Sequence, residues 1–124
     1  MNYCDTNIIL RYLLADNDEL FARALTILEE KTVFVPNEVL AEVVYVLTKT
    51  YQVPKIDACK AIDLFCQKVN VLLQDENVVS LALIFFAEKN IDFVDALLCA
   101  ASKSIGVQVF SFDKKLNKCV MQDW

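Results

Sequence analysis

Short unbroken apolar runs alternate with longer stretches of helical periodicity along this chain. Asn2 to Cys4 reads as a short strand, and a capping signal at Asp5 or Thr6 opens a helix from about Asn7 to Leu14. "ADND" breaks that helix, and Asp18 starts another, with Leu20, Phe21, Ala24, Leu25 and Leu28 at helical spacing. "TVFV" has the β-branched and aromatic content of a buried strand and stops at Pro36. Asn37 then caps a long helix to about Tyr51, with Val39, Leu40, Val43, Val46 and Leu47 on its apolar side. Pro54 punctuates, Ile56 to about Lys68 is helical, and "VNVLL" is a third strand. Asp75 opens a helix to Lys89 that is apolar nearly all round. Asp92 caps a further helix, from Phe93 to about Ser104, which Gly106 terminates. "VQVFSF" is the clearest strand pattern of all, ended by Asp113 and a short basic helix.

Strands alternating with helices predict an α/β fold around a short central parallel sheet with helices on both faces. The runs are continuous rather than alternating, as befits strands covered on both sides. In such sheets, functional residues gather at the carboxyl ends of the strands.

The chain has 124 residues, one glycine and two prolines, and 56% of its residues are apolar. That describes one compact, loop-poor domain, residues 1–124, without repeats or linkers. The longest apolar run, Val78 to Ala87, is interrupted by Ser80 and stopped by Glu88. A membrane span needs about 20 apolar residues, so no membrane is expected. The N-terminus lacks the regions of a signal peptide, which points to the cytoplasm.

Five cysteines without a C-x-x-C pair, and no histidine, argue against a zinc site. Buried thiols in a reducing compartment are expected instead. Without histidine, Ser-His and Cys-His nucleophile chemistry is excluded, which leaves carboxylates. The net charge of −5 argues against a broad nucleic-acid-binding face. A carboxylate-held metal can nevertheless meet a phosphate.

Four acids stand out. Asp5 follows the first strand and Asp113 follows "VQVFSF"; parallel central strands would bring both to one sheet edge. Glu42 interrupts the apolar "EVLAEVVYVL", with Val39, Val43, Val46 and Leu47 as its helical neighbours. Asp95 sits third in an otherwise apolar helix. Carboxylates about 4 Å apart repel by roughly 1 kcal/mol in water and several-fold more in protein. Holding four together therefore calls for a divalent cation, and oxygen-only ligands suit Mg²⁺ or Mn²⁺. Each acid also has a plainer role: Asp5 an N-cap, Asp95 part of a capping motif with Asp92, Asp113 an ordinary helix start.

"CDTNIILRYLL", "PNEVLAEVVYVL", "IDFVDALLCAASKSIG" and "VFSFDKKL", in that order, resemble the PIN-domain nucleases, most closely the VapC toxins of bacterial and archaeal toxin–antitoxin pairs. The resemblance covers essentially the whole chain. It implies a Mg²⁺- or Mn²⁺-dependent endoribonuclease in which Asp5, Glu42 and Asp95 match the acidic triad and Asp113 the more variable fourth acid. Thr6 or Asn7 and Ser111 match positions that support the first and last acids. Asp92 matches an acid common before the third motif, a cap first and a support of the metal ligands second. Lys114, Lys115 and Lys118 form the nearest basic cluster for RNA phosphates, or else a solvated helix face. The resemblance also implies a homodimer and a cognate antitoxin protein.

Three alternatives compete. A two-component receiver domain would want adjacent acids after the first strand, where Asp5 stands alone before Thr6. A haloacid-dehalogenase-like phosphatase would want Asp-x-Asp, and position 7 is Asn. A PIN-fold binding module without cleavage would not need all four acids. The apolar excess of the helix around Phe85 and Phe86 predicts a dimer interface there, leaving the surface around Ile9, Tyr12 and Leu13 for an antitoxin segment.

Overall fold

The computed structural model describes residues 1–122 and divides into two compact units, Met1–Gln74 and Asp75–Trp124. The first contains β1 (Asn2–Tyr3), α1 (Thr6–Leu14), α2 (Asp18–Glu30), β2 (Val33–Val35), α3 (Asn37–Tyr45), α4 (Lys55–Cys66) and β3 (Val71–Leu73). A π-helical turn, Val46–Thr50, continues α3. The three strands form one parallel sheet in the order β1-β2-β3, so the fold is α/β. Tyr3, Phe34 and Leu72 stand in one row of its register. That row is the less covered one: Tyr3 and Leu72 are exposed, whereas Val33 and Val71 beside them are buried.

Local chemistry sets the boundaries. Asp5 Oδ1 accepts the Ile8 N–H at 3.2 Å, and Asn17 Oδ1 accepts the Leu20 N–H at 3.0 Å, so α1 and α2 each start on a side-chain cap. Pro36, not Asn37, holds the N-cap position of α3, and Asn37 is its first helical residue. Asn70 donates through Nδ2 to the carbonyls of Leu28 and Lys31, which closes the C-terminal end of α2 onto the start of β3. α1 packs on α2 and α3. Ile9, Leu28, Leu40, Val43, Ile62 and Phe65 lie at the centre of this unit, each at most 2% exposed. Full burial of such a side chain contributes about 1.5–3 kcal/mol.

The second unit is helical: α5 (Glu76–Glu88), α6 (Phe93–Ile105) and α7 (Lys114–Met121). α5 and α6 form an antiparallel pair whose turn is closed by Phe86 edge-on to Phe93 at 5.7 Å. Gly106 ends α6 in the left-handed region at φ 72°, as its place in the sequence predicts.

Several expectations change. "VQVFSF" forms no strand: residues 107–112 are irregular, and Phe110 and Phe112 are almost fully exposed. A strand exists only by its ladder, and the described part of this unit offers only helices. Phe85 and Phe86 are buried within the chain, so they cannot be the exposed patch of a dimer. Ile9 is buried too, whereas Tyr12, stacked on Phe21 at 6.0 Å, and Leu13 are half-buried, so this face of α1 is covered only in part. Cys99 and Cys119 form a disulfide joining α6 to α7, where thiols were expected. Burial pushes the Cys4 thiol up to about 11 and the Cys66 thiol up to about 12, with Asp5 and Asp63 respectively adding to it. Among the described residues, no helix is long and apolar enough to cross a membrane.

Candidate functional site

Each acid singled out in the sequence has a definite place. In the first unit, Asp5 lies between β1 and α1, exposed, with its carboxylate spent partly on the Ile8 N–H. Thr6 is buried as the first residue of α1, and Asn7 beside it is exposed. Glu42 lies in the middle of α3 and is exposed. The apolar neighbours in its sequence do not bury it. Leu40, Val43, Val44 and Leu47 take the inward face, and Glu42 is turned about 100° from Val43. A high cost of burial therefore gives no support to a metal role for Glu42.

In the second unit, Asp92 holds the N-cap position of α6 with exposed side chain. Its side chain makes no capping hydrogen bond, so it caps by position only; its carbonyl accepts the Ala96 N–H at 2.9 Å. Asp95 is half-buried in the first turn of α6. Asp113 caps α7, with Oδ1 accepting the Leu116 N–H at 2.9 Å. Ser111 braces this corner: its Oγ accepts the Asp113 N–H at 2.9 Å, and its carbonyl accepts the Asn117 side-chain amide at 2.9 Å.

The electrostatics single out Asp95. Its carboxyl is held above the ordinary carboxylate value, first by burial, then by the negative charges of Asp113 and Asp92. The starts of α6 and α7 thus bring the charges of Asp92 and Asp113 to bear on Asp95. Two of them sit at N-caps, where helix dipoles ease the charge. Among the described residues, no group of three or more His, Cys, Asp or Glu is disposed as a ready metal cage. The donor chemistry nonetheless fits a hard divalent cation, because Mg²⁺ commonly takes one or two carboxylates and keeps several waters. Asp95 and Asp113, the latter's charge bearing on the former, are the candidates for such a pair.

Lys114 and Lys115 open α7 and Lys118 follows one turn on, all exposed. They stand beside residues that the sequence did not single out. Lys89, Asn90 and Gln122 join Lys115 and Lys118 around one groove. Only the lysine cluster after Asp113 was visible as a sequence feature; nothing local ties Lys89 or Gln122 to it.

A family model described as the PIN domain matches residues 3–119. Neither the search of curated proteins nor that of solved structures returned a match.

Proposed function

The chain belongs to the PIN-domain family, and on that premise we propose that it is a Mg²⁺- or Mn²⁺-dependent endoribonuclease, the toxin of a VapBC-type toxin–antitoxin pair. PIN domains are typically metal-dependent nucleases. The observation that carries the reading for this chain is the repulsion of Asp95 by Asp113 and Asp92, on top of partial burial. A fold that gathers acids against their own repulsion is most simply explained by a cation that offsets it.

In this reading the whole chain acts as one PIN domain. Asp5, Glu42, Asp95 and Asp113 hold the metal, with Thr6, Asn7, Asp92 and Ser111 in support. When bound, a divalent cation acidifies a water toward attack on the phosphodiester and offsets charge developing on the phosphoryl oxygens. The chain's own residues do the rest. Asp95 and Asp113 would offer their carboxylates to the cation, which would offset the repulsion that Asp113 exerts on Asp95. Ser111, by fixing the Asp113 backbone N–H, holds the start of α7 in place. Lys114, Lys115 and Lys118 attract the phosphates of the RNA.

The toxin reading carries three further proposals. The protein works in the cytoplasm, an antitoxin encoded beside it holds it inactive, and it forms a homodimer. The large exposed side chains of Phe110 and Phe112 are apolar surface that a partner would cover.

The test is incubation of the protein with a mixed RNA pool in Mn²⁺, in Mg²⁺ and in EDTA. Cleavage with either metal and none in EDTA is expected. Cleavage in EDTA, or none under any condition while the fold is intact, overturns the nuclease reading.

A further inference from the structure

The second unit carries a groove of about 290 Å³ lined by Lys89, Asn90, Lys115, Lys118, Cys119 and Gln122. Its construction follows from the sequence of α7. Leu116 and Cys119 are buried, and Cys119 is bonded to Cys99, so one face of α7 is fixed against α6. Lys115, Lys118 and Gln122 follow at steps of three and four residues, so they line the neighbouring face. Lys89 closes the other side from the end of α5, its Nζ 3.0 Å from Gln122 Oε1. Lys103 is excluded from the groove and serves the helix instead, donating to the carbonyls of Val120 and Gln122 at the end of α7.

What makes the groove unusual is its charge. The chain has 17 acidic and 12 basic residues, yet among the described residues three lysines and no carboxylate line this groove. Among the described residues, neither Lys115 nor Lys118 is in an ion pair. Ammonium groups gathered around one groove repel one another, a cost that an anionic ligand offsets. The remaining polar lining, the amides of Asn90 and Gln122, can both donate and accept hydrogen bonds. A positive groove with neutral amides along it suits a phosphate backbone carrying bases and ribose hydroxyls.

We propose that this groove holds the phosphates of a single-stranded RNA segment adjoining the segment that is cut. The proposal rests on the endoribonuclease reading above, and it adds Lys89, Asn90 and Gln122 to the surface that meets RNA. It places the affinity for RNA in a region separate in chemistry from the acids, so binding does not require the metal.

The experiment measures anisotropy of a short fluorescein-labelled single-stranded RNA on the full chain in EDTA, across a salt series. Three lysine–phosphate contacts predict a slope of log affinity on log salt of about −2, at roughly −0.7 per contact for single strands. Lys115→Ala with Lys118→Ala should weaken binding roughly tenfold and make the slope shallower by about 1.4. Lys115→Arg with Lys118→Arg should retain both, and thermal melts of each variant confirm the fold. Unchanged affinity in the alanine variant overturns the proposal, and so does binding of polyglutamate as tight as that of RNA. Cleavage by the same preparations in Mn²⁺ separates the two readings. Cleavage with lysine-insensitive binding removes the groove alone. Lysine-dependent binding without cleavage supports the groove and removes the nuclease.

Discussion

Two acids do the same local work in the two halves of this molecule, yet their surroundings differ. In the first unit, Asp5 caps α1 through the Ile8 N–H; in the second, Asp113 caps α7 through the Leu116 N–H. Each sits three residues before its donor, so the geometry is the same. The difference lies in what stands near them. Asp113 is one of two acids whose charge bears on half-buried Asp95, and Asp95 itself caps nothing. A capping acid is explained by its helix. An acid that caps nothing, is partly buried and feels the charge of two others needs another explanation, and the proposed cation would supply it.

The sharpest way to break this comparison is to remove one charge at a time. Asp95→Asn should lower metal-dependent RNA cleavage by about a hundredfold or more, with the melting temperature of the metal-free protein unchanged or raised. If Asp95→Asn instead cost stability and spared cleavage, Asp95 would belong with the structural acids.

The second unit can also be loosened as a whole. Cys119→Ser removes the bridge to Cys99, which closes a loop with a sequence separation of 20. Denaturant titration should give a loss of about 2–3 kcal/mol relative to the disulfide-bonded protein. Mass spectrometry after alkylation without reductant should find three modified cysteines; five would mean that the bridge is absent.

Caps can be separated from charges at both helix starts. Asn caps a helix about as well as Asp, whereas Ala costs about 1 kcal/mol. Asp5→Ala and Asp113→Ala should each show that loss in thermal melts, while Asp5→Asn and Asp113→Asn should not. Asn variants that lose cleavage while keeping stability would show the charge, rather than the cap, at work in both units.

The smallest effect is on pH. The carboxyl of Asp95 is raised above its ordinary 3.8 in the folded protein. Between those two values the folded state holds the proton more firmly than the unfolded state. Stability from this group is therefore complete below 3.8 and declines as pH rises through the folded value. The metal-free Asp95→Asn variant should show a flatter stability profile across that window; identical profiles would mean that Asp95 feels neither burial nor its neighbours.

Helices were readable because their signals are local. Asp5, Asp75 and Asp113 each sit beside the N–H groups they cap, and Gly106 lies at the turn it permits. The strands were readable only in part. "TVFV" and "VNVLL" find parallel partners as β2 and β3, but the stronger pattern in "VQVFSF" does not. Strand propensity describes a residue's fit to a sheet, and only tertiary partners decide whether a sheet is there. The exposure of Glu42 was hidden for a related reason: apolar neighbours in sequence do not identify which of them share its face. The lysines of α7 were visible as a cluster, but their closing partner Lys89 comes from another helix.

The account turns on whether the acids bind a divalent cation, and calorimetric titration of Mn²⁺ into the full chain, wild type against Asp95→Asn, tests that most directly. Saturable binding by the wild type is the expected result, together with its loss or marked weakening in Asp95→Asn. Equal binding by both proteins, or none by the wild type at millimolar Mn²⁺, would contradict the account.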